Sequence, residues 1–213
     1  MTMIKSILNP FIYLMAFTSG FSIMGIELLG GRILAPYFGS SVHVWGSIIT
    51  VFMLSLSLGY LLGGRWSLST PSLKRYGSIF VLAGITLLPI ALWATPMLNW
   101  VFDHIEDARY GSLIASMLLF FIPTIILGMI SPYSVRLLVS NHQESGHVAG
   151  VLYFVSTLGS ALGTLATSFY LVLWFEVNTI VVSFCSLLFA LGLCSIVWAS
   201  VSKQEEKHVQ TSY

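Results

Sequence analysis

Charge is what this sequence has least of. Nine Lys and Arg with eight Asp and Glu make up only 8% of its 213 residues, against about 25% in an ordinary soluble domain. So few charges cannot cover the surface of a soluble protein of this length. No block of like charge is present and the formal net charge is +1, which argues against a nucleic-acid partner. Cysteine is nearly as scarce. Cys185 and Cys194 lie in one apolar run, match no metal-ligand spacing, and read as small packing residues. No Gly/Ser or Pro linker divides the chain, and no stretch alternates with strand periodicity. There is no G-x-G-x-x-G after a strand, no P-loop, and no nucleophile beside a His and a carboxylate. Asp103, Glu106 and Asp107 lack EF-hand spacing, and the lone His43 makes no metal site. The expectation is therefore a non-enzyme without metal or cofactor.

Apolar residues make up 56% of the chain and aromatics 14%, with 18 glycines, a composition suited to membrane helices and their interfacial belts. A span needs about 20 mainly apolar residues. Six segments qualify: 11–33, 42–64, 77–98, 112–138, 148–173 and 177–199. The expected fold is an all-α integral membrane bundle of six transmembrane helices over 1–199, followed by a short polar tail, 200–213, expected to fray. Polar connections are expected at 34–41, 65–76, 99–111 and 139–147. A single Lys5 precedes the first run and no small-x-small cleavage site follows, so an uncleaved first helix is expected.

With the N-terminus inside, the cytoplasmic side collects Lys5, Arg65, Lys74, Arg75, Arg136, Lys203 and Lys207, and the outer side keeps Arg32 and Arg109. Seven against two predicts that both termini are cytoplasmic. Three spans per half would also make the halves inverted if they are structural repeats.

The first run carries a carboxylate and a guanidinium five residues apart, in GIELLGGR. Helical spacing joins Tyr13, Phe17, Gly20, Met24, Glu27 and Gly31 into one stripe. Glu27 either faces an internal cavity, where it binds a cation or a proton, or makes a structural contact that fixes helix packing. Arg32 lies about 140° from Glu27 on a regular helix. It pairs with Glu27 through a turn loosened by Gly30 and Gly31, pairs elsewhere, or snorkels to head groups. Tyr37, His43 and Trp45 crowd the same end, as belt anchors or as an aromatic wall for an amine. Glu27, Arg32, Tyr37, His43 and Trp45 are thus the candidate ligand-binding set. Gly59 and Gly63, like Gly159 and Gly163, form small-xxx-small steps for close helix packing. Pro123 and Pro132 flank Gly128 and mark a candidate hinge, since each proline removes a backbone donor.

Taken in order, GIELLGGRILAPYFGSSVHVWGS (25–47), LGYLLGGR (58–65), PTIILGMISPYSVRLL (123–138) and GHVAGVLYFVSTLGSALGTLATSFYLV (146–172) resemble the membrane portion of the fused major-facilitator/spermidine-synthase-like family of bacterial proteins. The resemblance covers about residues 20–175, with Ser156 standing where asparagine is usual. It implies a bundle like half of a major-facilitator carrier, an inner-membrane location and a link to polyamine or related metabolism. The family's soluble aminopropyltransferase-like domain has no counterpart in this sequence, so aminopropyl transfer is not carried over. Two functions stay open. One is a transporter-like protein for a small cationic metabolite such as a polyamine, in which a homodimer would restore twelve helices. The other is a non-transporting anchor that docks a separate synthase-like enzyme on the basic cytoplasmic rim of Arg65, Lys74, Arg75 and Arg136 and on the cytoplasmic tail. An embedded enzyme built on Glu27 and Arg32 ranks last, because no nucleophile or metal set accompanies them.

Overall fold

The computed structural model describes residues 2–69, 71–139 and 142–210, and no strand occurs among them. Helix α1 runs Thr2–Phe38, α2 Val42–Ser67, α3 Leu73–His104, α4 Ala108–Gly128, α5 Ile130–Leu138 and α6 Ser145–Ala166. A π-helical turn at Thr167–Leu171 leads into the short α7 (Val172–Trp174), and α8 spans Val177–Gln210. Six of the resulting helical runs are long and apolar enough to cross a membrane: Leu8–Phe38, Val42–Ser67, Leu73–His104, Ala108–Leu138, Ser145–Trp174 and Val177–Val201. This is a multi-pass membrane protein. Helices follow from the medium, because a spanning backbone has no water to satisfy its N–H and C=O groups.

The helices are longer than hydropathy predicts, and the connections correspondingly shorter. Segment 34–41 is helical through Phe38, because Leu34 and Phe38 are buried and hold the last turn on the core. The turn comes at Gly39, whose φ of 76° lies in the left-handed region and whose N–H caps the Ala35 carbonyl at 2.9 Å. Segment 99–111 shrinks to 105–107, since Val101 is buried and Phe102 packs on Tyr37 and Phe38. Between α2 and α3 only 68–72 remains, and the last helix continues to Gln210 through Lys, Gln and Glu, which favour helix. Residues 211–213 of the predicted frayed tail lie outside the described residues.

The spans pack in three pairs: α1 with α6, α2 with α4, and α3 with α8. Each pair meets where glycine lets two backbones touch. A Cβ placed on Gly20, Gly159 or Gly163 would fall on the carbonyl oxygen of Ser156, Phe17 or Phe21 respectively. On Gly59 it would fall on the Ile125 oxygen, on Gly63 it would lie 2.5 Å from the Met129 oxygen, and on Gly128 3.0 Å from the Leu56 oxygen. On Gly77 and Gly84 it would lie 2.6 Å from the Gly192 oxygen and 2.8 Å from the Cys185 oxygen.

These contacts repeat. A shift of 108 residues carries Phe17, Gly20 and Phe21 onto Ile125, Gly128 and Met129, and Gly77 and Gly84 onto Cys185 and Gly192. A shift of 100 carries Leu56, Gly59 and Gly63 onto Ser156, Gly159 and Gly163. Each of these backbone approaches between the halves thus has its counterpart, and the α3–α8 pair maps onto itself. With three spans per half the two halves run in opposite directions, so the contacts describe an inverted internal repeat.

Tyrosines lock the end of the bundle that carries both termini. Tyr76 stacks on Tyr133 at 5.8 Å, and its hydroxyl lies 2.6 Å from the Ser134 hydroxyl. Ser134 donates to the Ile130 carbonyl, so Tyr76 is the donor to Ser134. Ser195 on α8 donates to the Leu73 carbonyl, and Ser72 N–H to the Tyr133 hydroxyl. Tyr76→Phe removes one fully buried hydrogen bond and leaves Ser134 bonded to Ile130. The expected loss is about 1 kcal/mol, read as a lower midpoint in thermal unfolding of the detergent-solubilised protein. An unchanged midpoint would assign the contact no net stability.

Candidate functional site

The first and fourth spans are the most enclosed, and the fifth is the least, with 17% of its most apolar window buried against 56% for either of the others. Between α1, α2, α4–α5 and α6 the helices leave a cavity of about 500 Å³. Gly20, Ile23 and Met24 form its wall on α1, Leu56 and Tyr60 on α2, and Leu127, Ser131 and Pro132 on either side of the α4–α5 junction. Tyr153, Ser156, Thr157 and Ser160 complete it from α6. The lining mixes apolar surface with hydroxyls and carries no charge.

The cavity lies between the two repeats. The same shifts that superpose the glycine contacts pair Ile23 with Ser131, Met24 with Pro132, Leu56 with Ser156 and Tyr60 with Ser160, and all eight line it. Four lining residues lack such a partner: Gly20, Leu127, Tyr153 and Thr157, whose counterparts are Gly128, Ser19, Met53 and Ser57. At the α4–α5 junction, Met129 N–H is shared among the Ile125, Ile126 and Leu127 carbonyls. Pro132 has no N–H to return to Gly128. Gly128 itself is pressed against α2, so the junction is wedged between the cavity and the α2 backbone.

Glu27 continues the cavity-lining face of α1. It stands seven residues after Gly20, within about 20° of the same direction, and about 4.5 Å along the axis beyond Met24. It is half-buried and has no hydrogen-bond or ion-pair partner among the described residues. One turn further, the Trp45 indole lies against Gly31, where a Cβ would be 2.6 Å from the ring. Glu27 therefore sits between the cavity and the Trp45 ring along α1.

The other members of the predicted set go elsewhere. Arg32 is exposed and donates through Nη1 to the Val172 carbonyl at 3.2 Å. That carbonyl belongs to the last turn of the fifth span, where acceptors lack helical donors and a cation suits the helix dipole. Arg32 makes no ion pair with Glu27. Tyr37 packs edge-on to Phe102, their ring centroids 6.3 Å apart. His43 is exposed and lies near enough to Asp107 to help hold its carboxyl down. None of the five lines the cavity; Glu27 lies on the cavity face of α1 beyond it, and Trp45 reaches Gly31 on that face from α2. Gly59, Gly63, Gly159 and Gly163 occupy the α2–α4 and α1–α6 contacts, and Pro123 is buried inside α4.

Sequence reasoning missed Tyr60 and Tyr153 as lining residues, although Tyr60 follows Gly59 directly on α2. It also missed the π turn at Thr167–Leu171, which packs on α1 where Thr167 Oγ1 would lie 3.0 Å from a Cβ on Gly25. No composition cue marks that turn.

At the opposite end from the termini, Asp107 caps α4 by accepting from Arg109 N–H at 2.9 Å, and its carboxylate pairs with the Arg109 guanidinium at 2.7 Å. Hydrogen bonds from Arg109 hold the Asp107 carboxyl down from 3.8 to about 2. A carboxyl depressed in the fold adds stability that is complete above 3.8 and lost as pH falls through about 2. Asp107→Asn is expected to flatten the acid limb of thermal stability between those two values, measured in detergent. An unaltered limb would show that the cap contributes nothing to it.

No protein-family model, curated protein or solved structure matches the chain.

Proposed function

We propose that this is a transporter-like protein of the bacterial inner membrane, with both termini cytoplasmic, that moves a small cationic metabolite through the central cavity. The supporting observation is the cavity's position between two inverted repeats, where transporters of this construction hold their substrates. Its lining offers hydroxyls without charge, and Glu27 extends the same face with an unpaired carboxylate. The α4–α5 junction, with cavity residues on both sides, is the moving element. Exchanging the conformations of the halves closes the Tyr153 and Thr157 side and opens the side of Met53 and Ser57. The cytoplasmic orientation rests on the Lys and Arg bias, and the polyamine class, like the bacterial setting, rests on the resemblance carried by the four motif segments. The anchoring alternative has, among the described residues, the short connection 68–72 and the continuation of α8 beyond Val201 to offer a docked enzyme.

The test is uptake by the purified full chain in proteoliposomes, using radiolabelled tetraethylammonium and spermidine under an imposed gradient. Accumulation above protein-free vesicles is the expected result. Rates equal to protein-free vesicles for both probes overturn transport.

A further inference from the structure

We propose that the cavity binds an organic cation bearing one positive charge, held between the rings of Tyr60 and Tyr153, and discriminates against polyvalent amines; this rests on the transport reading above, keeps its cationic substrate and departs from the polyamine class that the resemblance implies. Two observations on different helices carry it.

The first is the aromatic pair. Tyr60 on α2 and Tyr153 on α6 both line the cavity and both remain about half exposed, at 49% and 56%. Neither hydroxyl has a hydrogen-bond partner among the described residues, and the two rings do not pack on each other. Two electron-rich faces at the rim of one small space attract an ammonium group without supplying a counter-charge. Neither ring is repeated, since their repeat counterparts are Ser160 and Met53. The packing that the two halves share does not require them, so they are free to be ligand contacts.

The second is the charge census. Glu27 is the one carboxylate among the described residues that lies well inside a span; Asp103 sits at the end of α3, and Glu106, Asp107, Glu144 and Glu176 lie in the connections. Its repeat counterpart is Val135, so exchanging the conformations of the halves brings no second carboxylate to the cavity. A singly charged amine held between the two rings has one carboxylate to answer it, Glu27, further along α1 beyond the cavity lining. A triamine or tetramine would carry further ammonium groups into hydrocarbon depth with nothing to neutralise them, which is costly for each charge.

The experiment is equilibrium binding to the detergent-purified full chain, followed by tryptophan fluorescence, with tetraethylammonium and spermidine as probes. The expected result is binding of tetraethylammonium at least tenfold tighter than spermidine. Tyr60→Leu and Tyr153→Leu each weaken it about tenfold, while Tyr60→Phe and Tyr153→Phe retain it, because the ring and not the hydroxyl is the contact. Equal or tighter spermidine binding in the wild-type chain overturns the charge assignment by itself, whether or not the leucine variants fold. Loss in the phenylalanine variants equal to that in the leucine variants overturns the aromatic assignment. Spermidine uptake without tetraethylammonium binding leaves transport standing and defeats this inference. Ring-dependent binding without flux does the reverse, and neither binding nor flux defeats both.

Discussion

Gly163→Val is expected to be among the most damaging single substitutions outside the cavity, costing about 3 kcal/mol. The first atom of any side chain at this position would overlap the Phe21 carbonyl oxygen on α1, a rigid backbone group that cannot rotate away. The helices must then separate along the α1–α6 contact and forfeit the close dispersion contacts that hold spans together in lipid, where no hydrophobic force drives them together. Such a loss is a large fraction of the 5–15 kcal/mol typical of a folded domain. Because Gly63 occupies the equivalent place in the other half, 2.5 Å from the Met129 oxygen, Gly63→Val is expected to cost a similar amount. The control is adjacent. Gly64 has open space around its Cβ direction, so Gly64→Ala should instead gain up to about 1 kcal/mol of helix propensity. Unfolding titrations of the three variants in mixed detergent check all of this. A tolerated Gly163→Val would refute the α1–α6 contact, and unequal costs at Gly63 and Gly163 would refute the equivalence of the two halves.

Glu27→Gln is expected to abolish uptake, by about 100-fold or more, while leaving the protein at least as stable as wild type. The two signs together are diagnostic. Glu27 is half-buried inside a span and has no partner, so as a carboxylate it carries a desolvation cost that no contact offsets. At the centre of a span such a charge costs roughly 2.5–3.5 kcal/mol, and less nearer an end. Glutamine keeps the shape and removes the charge, so the fold gains what function loses, as at sites retained for activity against stability. A structural glutamate behaves oppositely: its replacement lowers stability and leaves transport by the surviving protein unchanged. Parallel measurement of uptake in proteoliposomes and thermal stability in detergent separates the outcomes. Unaltered uptake in Glu27→Gln removes the carboxylate from the transport site.

The division between sequence and tertiary structure follows from how each signal arises. Six spans were legible because hydropathy over about 20 residues is a local property, and the medium leaves the backbone no alternative to helix. Glu27 stood out for the same reason, as a charge in an apolar run. Span ends were less legible. Residues 99–104 look like a polar loop, yet Val101 and Phe102 pack on the bundle and extend α3 to His104. Nor do residue types at one end of the bundle form one site. Arg32, Tyr37 and His43 are near Glu27 in sequence, but Arg32 follows an unsatisfied carbonyl at Val172, Tyr37 an aromatic neighbour and His43 the Asp107 carboxylate.

By itself, then, the sequence determined the solvent, the number of spans and the one carboxylate that stands well inside them. The tertiary structure decided which faces meet, and with them the cavity, the placement of Tyr60 and Tyr153 on its lining and the repeat that relates Gly20 to Gly128. In a soluble helix an apolar stripe against a polar face tells inside from outside. In a membrane both faces are apolar, so that contrast vanishes. The choice of partner passes to close backbone approaches between residues more than a hundred positions apart, which no local window contains.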